Sequence, residues 1–142
     1  MRKIHWLLAL VLFGAVFATA PAQPKRPADK NAAKAAPTIE GMEIKRGDGT
    51  YLGLTLLDGK FKLTFYDKEK EPMQANVIRV VARWPNVHGP GHNRTVLLPA
   101  GDGTFLHGAQ FVRPPHAFKL YLILVAVEGS NETENINVDF RG

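Results

Sequence analysis

From Thr38 to Gly142, apolar and polar residues alternate with a period close to two, the spacing of a strand that buries one face. The sharpest instance is Tyr51–Leu57 followed by Asp58-Gly59 and Lys60–Tyr66. Asp-Gly between alternating runs predicts a two-residue hairpin turn, because both turn residues must take positive φ. Pairing outward from that turn sets Leu56 against Phe61, Leu54 against Leu63 and Leu52 against Phe65. Gly53, Thr55, Lys62 and Thr64 then fall on the other face. A one-residue slip would scramble this separation, so the pattern itself specifies the register.

Further runs predict strands at Asn76–Trp84, Thr95–Leu98, Thr104–Phe111, Ala117–Val127 and Ile136–Phe140. In the first, Ile78, Val80, Ala82 and Trp84 make one row, and Pro85, which lacks a backbone donor, ends it. Pro85–Asn93 reads as a long loop, Ala100–Gly103 as a turn, and Gly108 as a bend. Ala117–Val127 is apolar on both faces, which requires a central place in the sheet or a covered outer face. No window carries a helical period. Seven to eight short strands predict an all-β, antiparallel sandwich, with a small closed barrel as the alternative. Phe61, Phe65, Trp84, Phe105, Phe111, Phe118 and Phe140 are the expected fillers of its core.

The junction Leu63-Thr-Phe-Tyr-Asp-Lys-Glu-Lys-Glu-Pro-Met-Gln-Ala-Asn-Val77 ends one strand at Asp and opens the next near Ala-x-Val. It resembles the corresponding junction of bacterial extracytoplasmic immunoglobulin-like and transthyretin-like sandwiches. Gly101-Asp-Gly-Thr-Phe105 is similar to the turn that opens a strand in the same modules. The likeness runs from Tyr51 to Phe105 and implies an immunoglobulin-like sandwich in an exported protein. It carries over no catalytic residue, since fold alone does not imply function. The chain departs from the pattern in having Glu69-Lys70-Glu71 where a Gly usually precedes the Pro, and in lacking the Cys pair of antibody domains.

Upstream, Arg2 and Lys3 precede an apolar run from Trp6 to Ala18 that ends in Thr19-Ala20-Pro21-Ala22, the pattern of a secretory signal peptide. The run is shorter than the ~20 residues of a membrane span. Cleavage is expected after Ala22, because cutting after Ala20 would leave Pro21 at the new terminus. The alternative is an uncleaved anchor with Arg2 and Lys3 on the cytoplasmic side. Residues 23–37 contain no Leu, Ile, Val or aromatic residue and mix Pro, Ala and Lys, the composition of a flexible tether. The expected organisation is a signal peptide at 1–22, a tether at 23–37 and a β-sandwich at 38–142, in a secreted or periplasmic protein.

This division changes the meaning of the charge. The 142-residue chain carries a formal +5, yet from Thr38 onward twelve Lys/Arg balance twelve Asp/Glu. The excess belongs to the leader and the tether. A nucleic-acid binder would need a basic face on its folded part, so that class is excluded. Membrane contact is confined to an uncleaved leader or the basic tether. The chain has no Cys, which removes disulfides, thiolate metal sites and thiol nucleophiles.

Two constellations carry chemistry. His88-Gly-Pro-Gly-His92 places two imidazoles in one loop, and with His116 or His107 as a third ligand it predicts a Cu or Zn site. The competing reading is a polar turn, because the loop holds no Cys, Asp or Glu and dedicated sites use three or four ligands. Trp84, Asn86 and Arg113 stand beside prolines at strand ends, and Trp and Arg are the residue types that dominate binding hot spots. Trp84 reads first as a core residue, continuing the row of Ile78, Val80 and Ala82. Arg79, Arg83 and Arg94 offer either a small anion site or a solvated face. No catalytic residue is nominated: the single serine, Ser130, lacks a strand–elbow–helix setting, and there is no metalloprotease or phosphate-loop motif. The expectation is an exported, non-enzymatic binding or accessory module without a cofactor, facing an unknown protein or cell-envelope partner. The alternative is a periplasmic Cu- or Zn-binding protein.

Overall fold

The Asp58-Gly59 hairpin forms in the register that its apolar rows require, in a computed structural model that describes residues 36–127 and 132–142. Leu56 faces Phe61, Leu54 faces Leu63 and Leu52 faces Phe65. Asp58 and Gly59 both take positive φ, 51° and 72°. The expected leader at 1–22, almost all of the tether and the turn at 128–131 lie outside the described residues.

Among the described residues there are nine strands: β1 (Met42–Lys45), β2 (Tyr51–Leu57), β3 (Lys60–Tyr66), β4 (Pro72–Met73), β5 (Val77–Pro85), β6 (His92–Ala100), β7 (Phe105–Phe111), β8 (Ala117–Ala126) and β9 (Thr133–Arg141). All pair antiparallel, and among the described residues no helix occurs. The ladder runs β1-β2-β3-β7-β6-β5-β8-β9, with the two-residue β4 added to β3. The all-β antiparallel class is therefore as expected, with the two layers supplied by one continuous ladder.

Aromatic contacts show how that ladder curls. Phe61 on β3 is not a sheet neighbour of β5, β8 or β9. Its ring nevertheless meets Trp84 edge-on at 5.3 Å, Phe140 at 5.5 Å and Phe118 at 6.4 Å. The half containing β3 thus packs face to face on the half containing β5, β8 and β9. Leu52, Leu63, Val80, Leu97, Leu106, Leu120 and Leu122 complete a dry interior. Strand twist brings the two ends of the ladder near each other. Side chains tie them at one point: the Arg46 Nε–H donates to Glu134 Oε2 at 2.8 Å, and the Gly47 N–H donates to Glu134 Oε1 at 3.2 Å.

The sequence Gly-Asp-Gly-Thr occurs twice and makes the same turn twice. At Gly47–Thr50, Asp48 Oδ1 accepts from the Thr50 N–H at 2.9 Å and from its hydroxyl at 2.6 Å. At Gly101–Thr104, Asp102 Oδ1 accepts from the Thr104 N–H at 3.1 Å and from its hydroxyl at 2.6 Å. Gly49 and Gly103 take φ of 87° and 85°, open to glycine at little steric cost. Burial pushes the Asp48 carboxyl up, but the Thr50 hydrogen bonds and the Arg46 charge outweigh it, so its pKa lies below the ordinary value. The Thr104 hydroxyl and N–H likewise hold Asp102 below it. A carboxyl depressed by folding contributes stability above its unfolded pKa and loses it as pH falls through the folded value. Carbon-13 NMR is expected to show both carboxyls titrating below the ordinary aspartate value. Asp48→Asn and Asp102→Asn should flatten the loss of stability below about pH 4.

Several expectations are corrected. The β5–β8 register shifts between Val77 and Arg79, so Val77 is buried while Ile78 is 40% exposed and leaves the inner row. Phe105 and Phe111 share the outer face of β7 with His107, opposite Thr64, Lys60 and Lys62 of β3, so Phe111 is 56% exposed and Phe105 half-buried while Leu106 and Val112 turn inward; Phe118, near the start of β8, is half-buried. β6 starts at His92, not Thr95, since the Asn86 N–H bonds the Gly91 carbonyl at 3.0 Å and shortens the loop to a tight turn. β1 and β4 are additional strands, too short to show an alternation of their own.

Candidate functional site

Trp84, Asn86 and Arg113 line one cavity of about 480 Å³ at an end of the sheet. The β5–β6 turn supplies one wall and the segment between β7 and β8 the other. Asn86 shapes the turn: its Oδ1 accepts from the His88 N–H at 3.1 Å, while its carbonyl accepts from the Gly89 N–H at 3.4 Å. This directs His88 across the gap, where Nε2 lies 3.2 Å from the Pro114 carbonyl. The facing segment is anchored by the Val112 N–H, which donates to the Gly59 carbonyl at 2.7 Å, and by His116 Nε2, 3.1 Å from the Val112 carbonyl. Pro114-Pro115 is cis.

Trp84 is 2% exposed, wedged edge-on against Phe61 and stacked on Phe118 at 6.1 Å and 24°. It is a core residue whose exposed margin closes the cavity floor. Phe111 and Phe118 add aromatic walls, and Gln110 and Asn93 add amides. Asn93 closes the Pro85–Asn93 loop, but the sequence reading missed Gln110, Phe111 and Phe118 as site residues. The signal available was the position of Gln110-Phe111 next to Arg113, obscured by assigning Phe111 to the core. Arg113 is exposed and has no ion pair or hydrogen bond among the described residues. No carboxylate lines the cavity, so Arg113 gives it a positive edge. An arginine fork over aromatic walls suits a flat ligand group bearing a carboxylate or another strong acceptor.

His88, His92 and His116 do not assemble. His88 belongs to the cavity, whereas His92 stands on the outer face of β6 opposite Pro85. His116 lines a separate apolar cleft with Met42 and Phe140. Gly89-Pro90-Gly91 completes a turn that returns the chain directly into β6, separating the two imidazoles of the loop onto a turn tip and a strand. Among the described residues no group of three or more His, Cys, Asp or Glu is placed to hold a metal. His107 stays on β7, its Nε2 buried without a hydrogen-bond partner.

Compared with protein-family models, curated proteins and solved structures, the chain matches none.

Proposed function

We propose that this protein is a non-enzymatic binding or accessory module of the extracytoplasmic space, an immunoglobulin-like sandwich that recognises its partner with the loop end around Arg113. The observation that carries this reading is the unpaired Arg113 beside a cavity walled by Trp84, Phe111 and Phe118. Loops on a rigid sheet are where recognition residues are found. The lining supplies no hydroxyl or carboxylate nucleophile, and its one imidazole is held by a backbone carbonyl. Binding without turnover is the chemistry such a set supports. The basic leader pattern supports export, and the expected partner is a protein or cell-envelope component with an acceptor group next to an apolar ring.

The test is a calorimetric screen of the full chain against envelope glycan fragments and peptides with free carboxylates. A hit is expected to lose about 10- to 100-fold in affinity in Arg113→Ala, the range of one charge-assisted hydrogen bond. Phe111→Ala should weaken it as well. The thermal midpoint of both variants should stay near that of the parent, since both side chains are exposed. A ligand that binds Arg113→Ala and Phe111→Ala unchanged would place recognition elsewhere.

A further inference from the structure

The outer face of β6, β5 and β8 holds a second surface that the loop-end cavity does not involve. Backbone register lays two rows side by side across the sheet. One is Arg94–Arg83–Tyr121–Asn137, and the next is Val96–Val81–Ile123–Asn135. Val96 and Tyr121 are 37% and 36% exposed, and no described part of the chain covers them. The outer apolar side chains of β8 are therefore left partly open among the described residues. Val81 and Ile123 form the half-buried floor of two adjoining depressions of about 540 and 340 Å³, both bordered by Arg83 and His92.

Arg83 and Arg94 stand directly opposite each other, an arrangement that like charges disfavour. Neither has an ion pair or hydrogen bond among the described residues. No carboxylate occurs on the outer rows of β5, β6 or β8. The opposite side of the molecule differs: there Lys62 pairs with Glu40 at 3.0 Å and Lys70 with Glu43 at 2.8 Å. Unpaired arginines and a tyrosine over aliphatic side chains, with Lys and Glu scarce, is the composition of a protein interface.

We propose that this face docks a protein partner whose surface sets carboxylates beside aliphatic side chains, the carboxylates pairing with Arg83 and Arg94 and the aliphatics seating over Val81 and Ile123. Charge complementarity selects that occupant. A second copy joined by a two-fold axis would set this face against itself, and β5, β6 and β8 bring no carboxylate to pair with the arginines. A lipid surface is the weaker match, because the apolar floor is recessed between the arginines.

The test titrates the full chain, methyl-labelled at Ile, Leu and Val, with a soluble synthetic peptide alternating Glu and Leu. The same peptide with Lys for Glu and phosphatidylglycerol–phosphatidylcholine vesicles serve as comparisons. The Glu peptide is expected to shift the Val81, Val96 and Ile123 methyl signals saturably. Arg83→Glu/Arg94→Glu should weaken it by about tenfold or more, and Arg83→Gln/Arg94→Gln by less. Arg113→Ala should leave it unchanged, which separates this surface from the loop-end site. Absence of those shifts, equal binding of the Lys peptide, undiminished binding by the Glu variant or preference for vesicles would overturn the proposal. So would the same shifts arising from protein concentration alone.

Discussion

Phe61→Ala is expected to lower the free energy of unfolding by about 3–5 kcal/mol, the range for removing a buried aromatic ring and leaving a cavity. Phe61 is wholly buried and touches Trp84, Phe118 and Phe140 from the facing half of the sheet. Each edge-on contact contributes about 0.5–1.5 kcal/mol beyond simple burial. Against a total stability of about 5–15 kcal/mol for a domain of this size, the change leaves a large unfolded fraction on mild warming. Urea denaturation followed by circular dichroism measures it. Phe61→Leu, which keeps most of the volume, should cost clearly less. A Phe61→Leu loss close to zero would mean that the inter-layer ring contacts contribute nothing specific. The variant also connects stability to binding, because Phe61 supports the Trp84 and Phe118 rings under the Arg113 cavity.

Arg46→Ala is expected to cost about 2–3 kcal/mol, somewhat under the range for breaking a fully buried ion pair, because Glu134 keeps partial access to water. The Arg46 side chain is 8% exposed and that of Glu134 29%. Besides Glu134, the guanidinium donates to Asn76 Oδ1 at 2.9 Å, linking the β1–β2 turn to the start of both β5 and β9. Removing Arg46 leaves the Glu134 carboxylate with only the Gly47 N–H from that cluster. The pair Arg46→Met/Glu134→Gln should recover most of the loss, since the only charge left without its partner is the more exposed Asp48 carboxylate, 3.6 Å from the guanidinium. A double-mutant cycle in urea gives the coupling directly. A coupling near zero would show that the ends of the ladder are held together by the core alone.

The candidate sites were legible to different degrees for identifiable reasons. Trp84, Asn86 and Arg113 were readable because prolines mark strand ends, and strand ends of an antiparallel sheet gather at its rims. Phe111 was not, since which face of β7 is buried is set by its pairing with β3, a strand far apart in sequence, and that pairing puts Leu106 and Val112 inward. The His88–His92 spacing suggested convergence. A single backbone bond, Asn86 N–H to Gly91 carbonyl, separates the two rings instead. Arg83 and Arg94 were visible as charges, but their direct opposition is a property of the β5–β6 pairing.

Local chemistry alone determined the β2–β3 hairpin, because Asp58-Gly59 and two alternating runs admit only one register that gathers Leu52, Leu54, Phe61, Leu63 and Phe65 on one buried face. It also determined the antiparallel all-β class and the approximate positions of seven strands. The order β3-β7-β6-β5-β8-β9, the curl that sets Phe61 against Phe140, and the Arg46–Glu134 tie between the sheet's ends were decided only in three dimensions. The reason is physical. A period of two states which side of a strand is buried, whereas the choice of neighbour depends on how layers of unequal side chains fill one shared interior.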